Sequence, residues 1–169
     1  MGLFSNRNAQ QNVSERQALQ SKYANSRHNL LILLAFTVIN IVLLLLEQNT
    51  YFLFTAYAPY LWFIEGWFYK DTVKLVLAVV VLAALLVCWL QAKKDVRWLY
   101  AGVALVVLDV VFLLVVVGFD AEWIIDYAFH AYILISTASG IVAYNKLKKL
   151  PPEEGVAADV EPAAPYEVN

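Results

Sequence analysis

The sequence predicts an all-α polytopic membrane protein, a four-transmembrane-helix bundle with an aromatic-rich interfacial or re-entrant segment between spans one and two. Of the 169 residues, 62% are hydrophobic and only 15% are charged, whereas a soluble domain carries about a quarter charged residues. The apolar residues are gathered into long runs, each close to the roughly 20 residues that a helix needs to cross a bilayer. Lipid offers no partner to an open backbone amide, so each run must form a helix.

These runs divide the chain into a leader, a membrane domain and a tail. The leader, 1–28, is polar, and a capping box formed by Ser14 and Gln17 predicts that it is helical from about residue 14. The membrane domain, 29–150, contains four predicted spans at 30–46, 73–90, 98–119 and 123–144. Two consecutive prolines stop the last helix, and the tail, 151–169, is acidic, rich in Ala and Pro, and expected to be disordered.

The positive residues predict the orientation of the bundle. Ten of the twelve Lys and Arg residues fall on one side of a four-span chain, namely Arg7, Arg16, Lys22, Arg27, Lys93, Lys94, Arg97, Lys146, Lys148 and Lys149. The positive-inside rule therefore places both termini in the cytoplasm, and we expect the plasma (inner) membrane. A fifth span at 51–69 would divide the twelve evenly between the two sides, and Pro59, Glu65 and Gly66 within it also argue against a crossing.

The segment 51–69 is unusual because it contains ten aromatic residues. Tyr and Trp favour the headgroup level of a bilayer, and Pro59 suits the first turn of a short helix. One interpretation is an aromatic anchor belt at the outer boundary. The other is a lid across the outer mouth of the bundle or a platform for an apolar ligand, in which Trp62 and Trp67 take part and Glu65 is the polar contact.

Polar residues inside the predicted spans carry the functional hypotheses. Asp109 lies near the centre of the third span, where a lone carboxylate costs about 2.5–3.5 kcal/mol, so we expect it to face a partner or a cavity. The short connection 120–122 makes spans three and four an antiparallel hairpin, so Asp109 can meet His130 or Thr137. Counted from the outer ends, the polar layers are Glu47 and Asp126 at the boundary, Asn40 and His130 about 10 Å deep, and Thr37 and Asp109 about 15 Å deep, with Thr137 below them.

Two interpretations of these layers are open. In the first, the polar side chains register the helices, and each interhelical hydrogen bond contributes about 0.6 kcal/mol. Asn40 and Thr37 suit this role. In the second, the layers form a proton or cation pathway, because a buried carboxylate and imidazole, here Asp109 and His130, can exchange a proton near neutral pH.

Motifs for metal binding and catalysis are sparse. Asp126 and His130, four residues apart, could hold a divalent metal only if an outer carboxylate joined them, and Glu47 or Glu65 could be that third ligand. Neither an HExxH motif nor a second nearby histidine supports such a site. The run 136–140 lacks the glycine-flanked serine of a nucleophile elbow. We therefore expect no metal and no cofactor, and an enzyme is the less favoured class.

The leading hypothesis is a small transport or channel-type protein that moves protons, cations or a small cationic solute. Glu47 and Asp126 form its mouth, and Asp109 with His130 forms its central site. Four helices leave little room for a wide pore, so we expect a homo-oligomer in the lipid bilayer. The alternatives are an accessory or sensory membrane subunit, whose tail binds a cytoplasmic partner, and an outer-leaflet membrane enzyme. A net charge of −2 gives no basic field that would attract nucleic acid.

Overall fold

The computed structural model describes residues 2–48, 50, 52 and 54–151, with side chains from Ser14 onward. The described residues form five α-helices and one 3-10 turn, and they contain no strand. In chain order these elements are α1 (Gly2–Leu45), α2 (Tyr57–Phe68), α3 (Thr72–Gln91), α4 (Arg97–Val117), the 3-10 turn (Ala121–Trp123) and α5 (Ile124–Leu147). Four helices are long and apolar enough to cross a membrane. The predicted all-α, four-span fold is therefore confirmed.

The bounds of the four spans differ slightly from the predicted bounds. The helices that could span a membrane cover Ser14–Leu45, Thr72–Gln91, Arg97–Val117 and Ala121–Leu147. The third span ends two residues early because Gly118 adopts φ 74°, a left-handed conformation that stops the helix. An even number of crossings leaves the start of α1 and the end of α5 on one face of the bundle. We call this face the terminal side and the opposite face the loop side.

The leader is more helical than the sequence suggests. α1 begins at Gly2, twelve residues before the predicted start at Ser14. From Leu3 to Leu45 the chain contains neither proline nor glycine. A helix already nucleated in the membrane can extend into such a segment more cheaply than a free peptide can start one. The tail 152–169, predicted to be disordered, lies outside the described residues.

The aromatic segment enters the membrane region instead of lying flat upon it. After Leu45 the chain turns back, and the first N–H groups of α2 reach Thr37 of α1 and Asp109 of α4. Each of these residues lies eight positions from the loop-side end of its helix, which is about 12 Å at 1.5 Å per residue. α2 then climbs outward over its 12 residues. Of the two predicted arrangements, the structure has the re-entrant one.

The closest helix packing joins α1 to α5 on the terminal side. A Cβ added to Gly140 of α5 would overlap the Oγ of Ser26 and lie 2.5 Å from its Cβ. Nearby, the rings of Tyr23 and Tyr144 lie 5.0 Å apart, and the Tyr23 hydroxyl donates to the Ala92 carbonyl over 2.5 Å. α1 and α5 therefore pack closely at this end of the bundle.

Candidate functional site

The buried end of α2 needs acceptors for its first backbone N–H groups, which have none within the helix. Ala56, just before the helix, has no side chain that could accept them, and Pro59 in the first turn has no N–H to satisfy. Asp109 of α4 fills the need: its Oδ2 accepts from the Tyr57 N–H at 2.9 Å, and its Oδ1 accepts from the Ala58 N–H at 2.7 Å. A carboxylate from another span thus caps α2, at the end where the helix dipole favours an anion.

Asp109 also contacts the histidine expected beside it. Its Oδ2 lies 2.9 Å from Nε2 of His130, and the two residues are 7% and 1% exposed. The other ring nitrogen, Nδ1, lies 2.7 Å from the carbonyl oxygen of Asp126 and must donate to it, since a carbonyl only accepts. The contact predicted between Asp109 and His130 is therefore present.

The position of one proton defines the state of this pair. With Nδ1 donating, either Nε2 is also protonated and donates to the Asp109 carboxylate, or Nε2 is bare and accepts from a protonated Asp109. The first state is an imidazolium–carboxylate ion pair, and the second is neutral. Both contain one proton on the line between Nε2 and Oδ2, so the geometry suits a group that holds and transfers a proton.

Two polar residues of α1 hold the re-entrant chain. Thr37 donates to the Leu33 carbonyl at 2.7 Å and accepts from the Ala56 N–H at 2.8 Å. Asn40 accepts from the Phe52 N–H at 2.8 Å, and its amide nitrogen donates to the Phe52 carbonyl and to Thr55 Oγ1, each at 2.6 Å. Both side chains therefore face inward as predicted, but their partners come from 52–56 and not from another span.

We expect Asn40→Leu to lower the free energy of unfolding by about 2 kcal/mol, because it leaves the partners of the Asn40 amide without their hydrogen bonds. Unfolding of the purified protein in mixed micelles, followed by circular dichroism, measures the loss. Asn145→Leu, an exposed position of α5, is the matched control and should change stability by less than about 0.5 kcal/mol. Equal effects at the two positions would contradict the anchoring role of Asn40.

Asp126 lies buried near the loop-side start of α5, with 4% exposure. Its carboxylate lies beside the backbone of Phe54. Phe54 adopts φ 85°, a strained conformation for a bulky residue, and its ring packs 4.6 Å from that of Phe129. Such strain costs about 1–3 kcal/mol and persists only where the surroundings impose it. The contacts with Asp126 and Phe129 therefore hold the re-entrant chain in a conformation that it would otherwise leave.

Tyr57 lies beside the same site, outside the four spans. Its ring packs against Trp123 at 5.5 Å and Phe112 at 6.2 Å.

The remaining predicted pathway residues lie apart from the pair. Thr137 is fully buried, and its hydroxyl donates to the Ile133 carbonyl of its own helix. Glu47 is exposed just past the end of α1 in a left-handed turn, φ 55°. The described residues show no hydrogen bond or ion pair between Glu47 and Asp126, and the predicted mouth stays a prediction.

The residues of the predicted lid lie on the outer part of α2. Trp62 packs edge-on against Phe112 of α4, with ring centroids 5.2 Å apart. Glu65 forms a 2.5 Å ion pair with Lys74 at the start of α3. Trp67 is 45% exposed. The outer part of α2 therefore packs against α3 and α4. Its role as a lid stays a prediction.

The backbone groups that complete the site were not among the residues predicted from the sequence. The N–H groups of Tyr57 and Ala58 are partners of Asp109, and Thr55 is a partner of Asn40. One signal was present: a proline that favours a helix start, with no Ser, Thr, Asp or Asn directly before Tyr57 to cap it. Such a helix start needs a cap from elsewhere in the chain.

The chemistry of the site favours a proton over a metal ion. Both ring nitrogens of His130 are engaged by protein groups, and both oxygens of Asp109 accept N–H donors. Among the residues that the structure describes, no group of three His, Cys, Asp or Glu side chains could hold a metal ion.

Comparisons with models of protein families, with curated proteins and with solved structures find no match. The chemistry of the site is therefore the basis on which a function can be inferred.

Proposed function

We propose that this chain is a small membrane transport protein that moves protons, with Asp109 and His130 as its central site. The proposal is carried by the 2.9 Å contact between these two buried ionisable groups, about 12 Å inside the loop-side end of α4. Ionisable residues at such depth are expensive, and in membrane proteins they mark proton relays. A carboxylate and an imidazole in contact can exchange one proton near neutral pH.

The contacts of Asp109 support protons over larger cations. A metal cation needs several oxygen ligands, but the Asp109 oxygens already accept two backbone N–H groups and face an imidazole nitrogen. The start of α2 also carries partial positive charge, which repels a cation. A proton needs only one lone pair, which Oδ2 of Asp109 or Nε2 of His130 can offer.

The proposed cycle couples the proton to α2. When Asp109 is ionised, its charge strengthens the hydrogen bonds to Tyr57 and Ala58 and holds the start of α2 inside the membrane. When a proton neutralises Asp109, these bonds weaken, and the strain at Phe54 favours movement of the re-entrant chain. The movement exposes the pair to one side of the membrane at a time. Asp126 lies on the loop-side part of the path, and Thr37 and Thr137 lie on the terminal-side part.

Orientation and assembly follow from the sequence pattern. We infer that the terminal side is cytoplasmic, because ten of the twelve Lys and Arg residues flank the spans there. We also propose a homo-oligomer, because four helices leave little room for a wide aqueous path within one chain.

Proton flux into reconstituted vesicles tests the proposal. Under an imposed membrane potential, the wild-type protein should acidify vesicles that contain a pH-sensitive dye. His130→Gln should reduce the flux to the level of empty vesicles. The Gln amide can still donate to Asp109, so the cap on α2 is kept while the titrating proton is lost. Gln91→His, which adds an imidazole at the end of α3, is a control for histidine content and should leave the flux unchanged.

Two outcomes would contradict this function. Wild-type vesicles without flux above the empty ones would remove it, provided that the protein is folded by circular dichroism and size-exclusion chromatography. Undiminished flux in folded His130→Gln would remove the pair from the path.

The second candidate is an accessory or sensory membrane subunit. It is favoured by the hydrogen bonds of Thr37, Asn40, Asp109 and His130, each of which finds its partners within this chain. Polar groups satisfied in this way also serve to register helices. Under this function, His130→Gln changes stability alone, and deletion of 152–169 removes capture of a cytoplasmic partner.

A further inference from the structure

A second polar feature lies between α1 and α5 on the terminal side, away from the Asp109 site. It is a groove of about 730 Å³. Residues from one face of α1 and three positions of α5 line it, among them Ser21, Lys22, Asn25, His28, Ile32 and Tyr132. The α1 residues recur at intervals of three and four, so they form one continuous stripe along the helix. The function proposed above uses none of these residues.

The lining of the groove is suited to an anion. Lys22 carries a positive charge, and the His28 imidazole has an N–H donor. Asn25 and Ser21 can add neutral hydrogen-bond donors. None of the lining residues is acidic. An oxyanion such as a phosphate would therefore meet donors on several sides and no opposing charge.

The lining of the groove changes from polar to apolar along its length. Its polar end lies level with Tyr23, whose hydroxyl donates to Ala92 in the α3–α4 turn, at the edge of the membrane-spanning region. Ten residues further along α1 from Lys22, about 15 Å deeper, lies Ile32. Ile32 and Tyr132 are 40% and 57% exposed at that depth. The groove thus offers donors at the membrane surface and apolar surface below, which is the order of groups in a phospholipid.

We propose that this groove binds an anionic phospholipid of the terminal-side leaflet. Lys22 and His28 contact the phosphate, Asn25 and Ser21 donate to its oxygens, and an acyl chain lies along Ile32. Basic pockets between membrane helices are a recurrent site for anionic headgroups. Free phosphate has no apolar part to use the deeper half of the groove, so the lining favours a lipid. The Asn29–Ser136 hydrogen bond, at 2.5 Å, ties α1 to α5 where the polar part ends.

Native mass spectrometry of the full chain, released from detergent with defined lipids, tests this site. Phosphatidylglycerol should remain bound to the wild-type protein, while phosphatidylcholine should bind more weakly. Lys22→Gln should weaken phosphatidylglycerol binding about fivefold, and Lys22→Arg, which keeps the charge, should restore it. The double variant Lys93→Gln/Lys94→Gln removes two charges from the same side of the membrane but outside the groove, and it should bind phosphatidylglycerol as the wild type does.

Three results would overturn the assignment. Equal loss of phosphatidylglycerol in the Lys22→Gln and Lys93→Gln/Lys94→Gln proteins would mean that general surface charge holds the lipid. Displacement of the lipid by inorganic phosphate at millimolar concentration would identify a site for a free anion. Equal binding of phosphatidylcholine would remove the role of the Lys22 charge. None of these measurements depends on proton flux. Failure of the lipid proposal is therefore distinguishable from failure of the proposed transport function.

Discussion

Replacing Asp109 with alanine should lower the free energy of unfolding by about 3–5 kcal/mol, because each buried partner left without its hydrogen bond costs about 1–3 kcal/mol. The change leaves the N–H groups of Tyr57 and Ala58 without acceptors in a place that water does not readily reach, and it leaves His130 without its carboxylate. Asp109→Asn should cost less, because its single amide oxygen can still accept one N–H. Unfolding by titration with sodium dodecyl sulfate in mixed micelles measures both variants.

Asp71→Ala is a closely matched control for this prediction. Asp71 also accepts from two backbone N–H groups at a helix start, those of Val73 and Lys74 at the beginning of α3. It lies at the loop-side surface, where water can replace the lost carboxylate, so its loss should cost about 1 kcal/mol. If Asp109→Ala cost no more than Asp71→Ala, the start of α2 would be hydrated, and the re-entrant position of the helix would not depend on Asp109.

The spans could be predicted because one physical requirement decides them. A run of about 20 apolar residues in lipid has no stable conformation other than a helix. The same regularity predicted that Asp109 meets His130 or Thr137, since rise per residue fixes depth and a short connection forces an antiparallel hairpin. No detail of side-chain packing was needed for either prediction.

The re-entrant helix could not be placed by the same means. Its aromatic residues predict a location at the interface, and the alternative depends on whether acceptors exist for its first N–H groups. Those acceptors, Thr37 and Asp109, lie 19 and about 50 positions away along the chain. Backbone without helical hydrogen bonds enters a membrane only where protein groups satisfy it. Local sequence patterns do not contain that information.

Glu47 shows a second limit of predicting the depth of a residue from its position along a helix. The sequence places it in the outermost polar layer, together with Asp126. The structure ends α1 at Leu45, and Glu47 follows in a left-handed turn that directs the chain back into the bundle. Past a helix end, the 100° rotation and 1.5 Å rise per residue no longer apply. Asp126, within the first turn of α5, is buried, whereas Glu47 is exposed.

Introducing a methyl group at Gly140 should also lower the free energy of unfolding substantially. Gly140→Ala places a Cβ against Ser26, which is 1% exposed and whose hydroxyl donates to the Tyr23 carbonyl. The side chain cannot move aside without breaking that bond, so α1 and α5 must separate. Overpacking of this kind costs about 1–3 kcal/mol. Unfolding in mixed micelles measures the loss.

The cause of that loss can be isolated with a second substitution and a control. Ser26→Gly removes the atoms that the new Cβ meets, so Gly140→Ala should cost about 2 kcal/mol less in the Ser26→Gly background than in the wild type, a coupling expected of residues in contact. Gly102→Ala is the control: its Cβ would lie 2.6 Å from Cδ1 of Leu30 and does not meet Ser26, so its cost should be the same in both backgrounds. If Gly140→Ala cost the same in both backgrounds, the α1–α5 contact would be looser than described, and the polar residues of these two helices would not be held at fixed depths.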